Sequence, residues 1–215
     1  MLEIRQETID DYRQTEHVVR EAFWNVYAPG CVEHYLVHQM RQCPAFIPQL
    51  NLVAVQDGMI VGHVINLKAY IEGDNGSRYE VLSLGPIAVL PQYQRTGIGA
   101  QLISRVKQIA RERRHRAILL CGDPSFYTKQ GFEAAETYGI RSAENMFADA
   151  LHVCGLYEGA LNHLSGKYYE HEIYNADPEA VNLFDKTFSP KTPVLGTPSQ
   201  QAFLEMAARC RPYTQ

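Results

Sequence analysis

The sequence predicts an α/β (α+β) protein, and three stretches carry that reading. Leu50 to Val55 and Met59 to Leu67 are apolar-rich runs joined by Gln56-Asp57-Gly58, and Asp-Gly between such runs signals a β-hairpin. Leu84 to Val89 is a further apolar run, and beyond a short loop Ile98, Leu102, Ile103, Val106, Ile109 and Ala110 recur at helical spacing. Asp177-Pro178 and Thr197-Pro198-Ser199 then cap two more helices near the end of the chain. At 215 residues the chain suits one domain, or one with an appendage, around an adequate core.

Composition narrows the class. Hydrophobic residues at 46% and charged residues at 20% are globular values, and no apolar run approaches membrane-spanning length. The net charge of −4 leaves no basic footprint for nucleic acid. The local run Arg111-Glu112-Arg113-Arg114-His115-Arg116 reads as the solvated end of a helix, where cations complement the dipole. Met1-Leu2-Glu3-Ile4-Arg5 lacks the order of a signal peptide, which predicts a cytoplasmic protein. Cys31, Cys43, Cys121, Cys154 and Cys210 are scattered without a Cys-x-x-Cys, so each reads as a small buried hydrophobe.

Taken in order, Leu2-Glu3-Ile4-Arg5 alternates apolar and polar as a half-buried strand does. Asp10-Asp11 opens a helix with Val18, Val19, Ala22 and Phe23 on one face, and Pro29-Gly30 marks its end. A second helix over Cys31 to Arg41 sets His34 and His38 one turn apart. With no acid between them and no third ligand evident, the pair reads as a polar helix face rather than a metal site. The hairpin supplies strands two and three, the turn cluster at 72–77 follows, and Tyr79 to Val89 makes strand four. Gly85-Pro86 lies inside that strand. Proline cannot donate to a ladder, so the strand must bulge or part from a neighbour there.

Between strand four and the long helix runs Gln94-Arg95-Thr96-Gly97-Ile98-Gly99-Ala100. A loop that turns directly into a helix presents backbone N–H groups without intrahelical partners at the positive end of the dipole. Gly97 and Gly99 remove the Cβ atoms that would hold a phosphate away, so the stretch predicts a phosphate cradle. No Lys follows Gly99, which argues against a nucleoside-triphosphate loop. A dinucleotide site remains a rival: Leu102 stands where its third glycine belongs and a loop with Pro91 intervenes, but Asp123 falls where a ribose-binding acid could sit. Beyond, Ala117 to Cys121 reads as strand five and Asp123-Pro124 starts a helix that Gly131 ends. Ala135 to Ile140 and Phe147 to Leu156 are two more strand candidates. Tyr157, Tyr168, Tyr169 and Tyr174 cluster after them, where packing under a loop-rich segment is the common use and a pocket lining the alternative.

The spacing Gln94, Gly97, Gly99, with Ile87-Ala88-Val89 and Pro91 before it and Tyr127-x-x-x-Gly131-Phe132 after strand five, resembles the acyl-CoA loop and flanks of the GNAT superfamily of N-acetyltransferases. The likeness covers about Leu82 to Phe132, and Gly122-Asp123-Pro124 stands where the family usually has an Asn-led approach. The resemblance implies a mixed, mostly antiparallel central sheet splayed between strands four and five, helices on both faces, and here a C-terminal helical extension. It implies residues 1–160 as the acyl-CoA-dependent domain and 161–215 as the extension packed on it. It implies acetyl-CoA as co-substrate, held through Ile87, Ala88, Val89, Gln94, Arg95, Thr96, Gly97, Ile98, Gly99 and Ala100, with no metal. The partners expected are a small-molecule or peptide amine acceptor and a second copy in a homodimer, without nucleic acid or membrane. The organism implied is bacterial.

The chemistry implied is direct attack of a primary amine on the thioester. An amine of pKa about 10.4 is nucleophilic in only about one part in a thousand at neutral pH, so a base or a desolvating pocket must help. The leaving thiolate needs a proton donor, and the resemblance points to Tyr127. For the base, Glu80 and Ser83 precede the break in strand four and Asp123 is a third option better suited to capping, so water is expected ahead of all three. A non-catalytic acyl-CoA-binding or sensor domain is the alternative of another class.

Overall fold

The structure, a computed structural model, describes residues 1–214. Eleven strands and six α-helices follow one another. They run β1 (Leu2–Gln6), α1 (Tyr12–Phe23), α2 (Glu33–Met40), β2 (Leu52–Gln56), β3 (Met59–Gly73), β4 (Arg78–Val89), α3 (Ile98–Glu112), β5 (Ala117–Cys121) and α4 (Pro124–Tyr127). After these come β6 (Glu133–Ala134), β7 (Ile140–Arg141), β8 (Met146–Ala148), β9 (Leu151–Gly155), β10 (Gly166–Tyr169), α5 (Pro178–Asp185), α6 (Pro198–Ala207) and β11 (Cys210–Pro212). The main sheet is ordered β1-β2-β3-β4-β5-β9-β6, and β10 pairs with the far half of β3 and with β7. Its ladders are antiparallel except β4 with β5 and β7 with β10.

The sheet is apolar on both faces because helices cover both. Ile98, Leu102, Ile103, Val106 and Ala110 of α3 pack on Leu52, Ala54, Val64, Leu82 and Ile118. On the other face Val18, Val19, Leu36, Val37 and Met40 of α1 and α2 pack on Val53, Ile65 and Leu67. The hairpin turn falls at Asp57-Gly58 as its sequence demands, with φ of 51° and 78°. Among the described residues no helix is long and apolar enough to cross a membrane.

Strand β4 does both things that Gly85-Pro86 suggested. Against β3, Val64 faces Ile87 and Asn66 faces Leu84, so Gly85 and Pro86 together oppose Ile65 as a bulge. Against β5, only Leu82–Ile118 and Ser83–Leu119 pair, and beyond Ser83 the two strands part. The parting sets up the site.

The chain after Asn175 wraps back over α1 and α2. Arg20, 1% exposed, donates from Nε to Asp185 Oδ1 at 2.6 Å and from Nη2 to Oδ2 at 3.1 Å. Phe184 lies 5.4 Å from the ring of His34 and 4.6 Å from that of His38. Phe203 packs its ring, tilted by 39°, on Tyr27 at 4.7 Å, and β11 pairs with β8. Buried charge, aromatic contact and a short ladder thus join the tail to α1, α2 and β8.

Several expectations are corrected. His34 is not on a polar face: it is fully buried, with Nδ1 3.2 Å from Cys31 Sγ and Nε2 3.1 Å from Asp185, whereas the half-buried His38 meets Glu16 Oε1 at 2.9 Å. Ala135 to Ile140 is not a strand, because Ala135–Tyr138 forms a 3-10 turn closed by Gly139 at φ 69°. The run from Phe147 to Leu156 is broken by a turn at 149–150 into β8 and β9. Cys121 and Cys210 are exposed and Cys31 is half-buried, so burial describes only Cys43 and Cys154. Arg111 and Arg116 are more than a solvated helix end, since they donate to Leu156 O at 3.0 Å and Ala160 O at 2.7 Å.

Burial makes the fold acid-sensitive. His63 is 0% exposed, its Nε2 lies 2.6 Å from Asn51 Oδ1, and its Nδ1 has no partner among the described residues. Burial pushes the imidazoles of His63 and His34 down to about 4. An unfolded chain takes up these protons near pH 6.5, so their contribution is complete above that pH and is lost as pH falls from 6.5 towards 4. Urea unfolding should show a loss of about 2 kcal/mol between pH 7 and 5.5 for the two together. An unchanged midpoint over that interval would contradict their being buried neutral.

Candidate active site

The loop after β4 is a 3-10 turn at Pro91–Tyr93 followed by Arg95 at φ 63° and Gly97 at φ 89°. Thr96 Oγ1 donates to Tyr93 O at 2.6 Å, which closes the loop on itself. Gly97 is the N-cap of α3, and Gln101 N–H donates to its carbonyl at 3.0 Å as the first helical bond. The N–H groups of Ile98, Gly99 and Ala100 are thus left at the helix start without intrahelical acceptors. A Cβ at Gly97 would project into open space, and one at Gly99 would touch Phe126 at 3.5 Å. The cradle is open where a phosphate would approach. Gln94, Arg95 and Thr96 are exposed around it.

The open edge of β4 leads away from this cradle. Leu90 N–H reaches Val61 O at 2.9 Å, so the alternation of the antiparallel ladder directs the backbone groups of Ala88 to His63 on β3. Those of Ile87 and Val89 face the gap left by β5. Gln94 Nε2 already donates to Val89 O at 3.1 Å on that side. Of the three β4 residues singled out, two offer backbone groups to the gap and Ala88, which is buried, does not.

At the vertex of the parting lies a cleft of ≈ 350 Å³ whose walls include Gly85, Pro86, Ile87, Cys121, Tyr127, Glu170 and Tyr174. Tyr127 stands in the first turn of α4, which Asp123 caps by accepting from Ser125 N–H at 2.8 Å. Its ring is edge-on to Phe126 at 5.0 Å and to Phe132 at 5.8 Å. A Cβ at Gly122 would collide with that ring, so the residue before the cap must be glycine. Among the described residues the Tyr127 hydroxyl has no hydrogen-bond partner. Burial, with Tyr27 and Asp123 adding to it, pushes this phenol above its ordinary value. Desolvation, and after it Glu170, pushes the thiol of Cys121 up to about 12 even though the residue keeps exposed surface.

Ser83 sits where the strands part and gathers a network. Its hydroxyl donates to Glu170 Oε1 at 2.9 Å and lies 3.0 Å from Tyr174 Oη, which itself donates to Gly85 O at 2.9 Å. Tyr168 Oη donates to the same Glu170 oxygen at 3.2 Å. Burial raises Glu170 above the ordinary carboxylate value, and raises Tyr168 and Tyr174 likewise. Of the base candidates, Glu80 points out to Lys68 at 3.4 Å, Asp123 is engaged in capping, and Ser83 alone reaches the vertex. Glu170 was missed. It stands just after a four-residue strand that no apolar run announces, although the clustering of Tyr168 and Tyr174 marked the region. Among the described residues no three or more of His, Cys, Asp and Glu are grouped to hold a metal.

A sheet whose ladders are antiparallel but for β4 with β5 and β7 with β10 is not the doubly wound sheet of a dinucleotide site. Comparison with known proteins agrees. Residues 48–134 match the family model described as an acetyltransferase (GNAT) domain. YhbS of Escherichia coli (strain K12), an uncharacterized N-acetyltransferase, is 30% identical over 144 residues, 66% of this chain and 83% of that one. The crystal structure of E. coli YhbS, a GNAT family N-acetyltransferase in complex with CoA, superposes with a TM-score of 0.72 at 27% identity, covering 81% of this chain and 92% of that one. A GNAT family acetyltransferase from Brucella melitensis in complex with acetyl-CoA gives 0.66 at 25% identity, covering 81% and 98%. A splayed β4, a glycine cradle at the start of α3 and these likenesses converge, and the chain belongs to the GNAT family of N-acetyltransferases.

Proposed function

We propose that this protein transfers the acetyl group of acetyl-CoA to a primary amine by direct attack, residues 1–160 carrying the chemistry and 161–215 serving as an extension packed on them. The observation that carries this is the alignment of three features along one edge of β4. The cradle at Gly97–Ala100 suits the pyrophosphate, the outward backbone of Ile87 and Val89 suits the two pantetheine amides, and the cleft at Tyr127 suits the thioester. Arg95, Thr96 and Gln94 border the cradle as further phosphate contacts, and Ala88 holds the strand in place through β3.

In this reading the nitrogen attacks the carbonyl carbon, the C–N bond forms, the C–S bond breaks and CoA leaves as its thiol. Tyr127 supplies the proton at sulfur. A thiol near pKa ~8.5 cannot keep a proton from a phenol held above 10, so Tyr127 must be reprotonated in the same event by the proton leaving the acetylated nitrogen. The phenol is a relay rather than a reservoir. Acetyl-CoA-dependent thiol release in the presence of an amine tests transfer. Tight CoA binding with no release from any amine would favour a sensor instead.

The cradle has its own test. Gly99→Val adds methyls over the exposed N–H groups and against Phe126, and Gly97→Val also opposes a left-handed backbone. Either should weaken CoA binding at least tenfold, about 1.4 kcal/mol, by calorimetry on protein that still melts cooperatively. Unchanged affinity in such protein would remove the pyrophosphate from this loop.

A further inference from the structure

The cleft extends beyond the vertex of β4 and β5, and its far walls are aromatic and acidic. Phe23 and Tyr27 come from the end of α1 and the turn after it, Leu36 from α2 and Phe203 from α6, with Glu33 and Glu170 the carboxylates. Among the described residues no Lys, Arg or His lines it. A volume of ≈ 350 Å³ lies at the low end of small-molecule sites. Apolar rings attract the body of an amine, and carboxylates together with aromatic faces attract its ammonium and repel a second carboxylate.

We propose that the acceptor is a small primary amine with an apolar body and no carboxylate, seated against Phe23, Tyr27, Leu36 and Phe203 with its ammonium on Glu170, which takes its first proton. This rests on the acetyl-transfer reading above. Glu170 is well placed as a base. Ser83 and Tyr168 both donate to one of its oxygens, at 2.9 and 3.2 Å, so the carboxyl is fixed at the point where strands β4 and β5 part. Burial that raises its affinity for a proton makes it a better base than an exposed carboxylate, while an ammonium at contact favours its ionised form before the transfer. The proton passes from ammonium to Glu170 and on to solvent, the freed nitrogen lone pair forms the C–N bond, and the second N–H proton follows the relay through Tyr127 to sulfur. Tyr27 and Phe203, 4.7 Å apart, close the far side, which gives the C-terminal helix α6 a part in choosing the acceptor.

The test uses the full chain with acetyl-CoA and four probes, namely 2-phenylethylamine, ethanolamine, phenylalanine and a lysine-containing peptide. The expected kcat/KM for 2-phenylethylamine exceeds that of each other probe at least tenfold. Equal rates, a preference for ethanolamine, phenylalanine or the peptide, or no turnover of any probe by protein that binds CoA would overturn the acceptor class and leave the acyl-CoA reading standing. Loss of CoA binding itself would fell both. Glu170→Gln keeps the acceptor oxygen for Ser83, so it should lower kcat at least 100-fold with CoA affinity and Tm unchanged. A kcat within threefold of wild type would remove Glu170 as the base. Phe203→Ala should raise KM for 2-phenylethylamine at least fivefold and leave that for ethanolamine alone; equal effects on both would show that α6 does not select.

Discussion

Tyr127→Phe is expected to lower kcat by about 10²–10⁴-fold, the range of general acid catalysis, with CoA affinity nearly unchanged. The reason is geometric. The ring that Phe would keep is the part packed on Phe126 and Phe132, whereas the hydroxyl it would lose, on a residue that lines the cleft, has no hydrogen-bond partner among the described residues. Removing an unpartnered hydroxyl leaves no orphaned group behind, so the melting temperature should hold. A structural tyrosine would show the reverse, a stability loss with normal turnover. If kcat stays within about threefold of wild type, Tyr127 is not the proton donor.

Asp185→Ala is expected to cost about 3–5 kcal/mol in urea unfolding, at the upper end for a single substitution. Arg20 is almost wholly buried, and Asp185 is its carboxylate partner through two hydrogen bonds. Removal strands a guanidinium in the interior beside the faces of Trp24 at 4.3 Å and Phe188 at 5.3 Å. It also takes the carboxylate from His34, loosening the contact by which α5 sits on α2. Since α6 follows α5, the acceptor wall at Phe203 should loosen too. A cost below about 1 kcal/mol would mean that the ion pair does not hold the tail.

What could be read in advance follows a physical line. Period-two apolar runs, Asp57-Gly58 and the glycines after Pro91 are local signals, and the strands, hairpin and loop-to-helix turn they announced are where expected. Gly85-Pro86 was equally local, since a residue that cannot donate must disturb a ladder wherever the chain goes. The acceptor side was not local. Strand β10 is four residues whose pairing depends on β3 continuing to Gly73, well past the apolar run that marked it. Ser83 and Glu170 are 87 positions apart and meet only through that pairing. The same holds for Arg20 and Asp185, and it is why His34 looked polar on a helical wheel while the tail buries it. Short strands such as β6 and β7 defeat pattern reading for a different reason: two residues carry no period.

A crystal structure of the full chain with CoA tests the central claim most directly. The account places the pyrophosphate on the N–H groups of residues 97–100, the pantetheine along the outward edge of Ile87 and Val89, and the sulfur within hydrogen-bond reach of Tyr127 Oη, at roughly 3–3.5 Å. A CoA molecule bound away from the β4 edge, or one that leaves Tyr127 facing elsewhere, would contradict it.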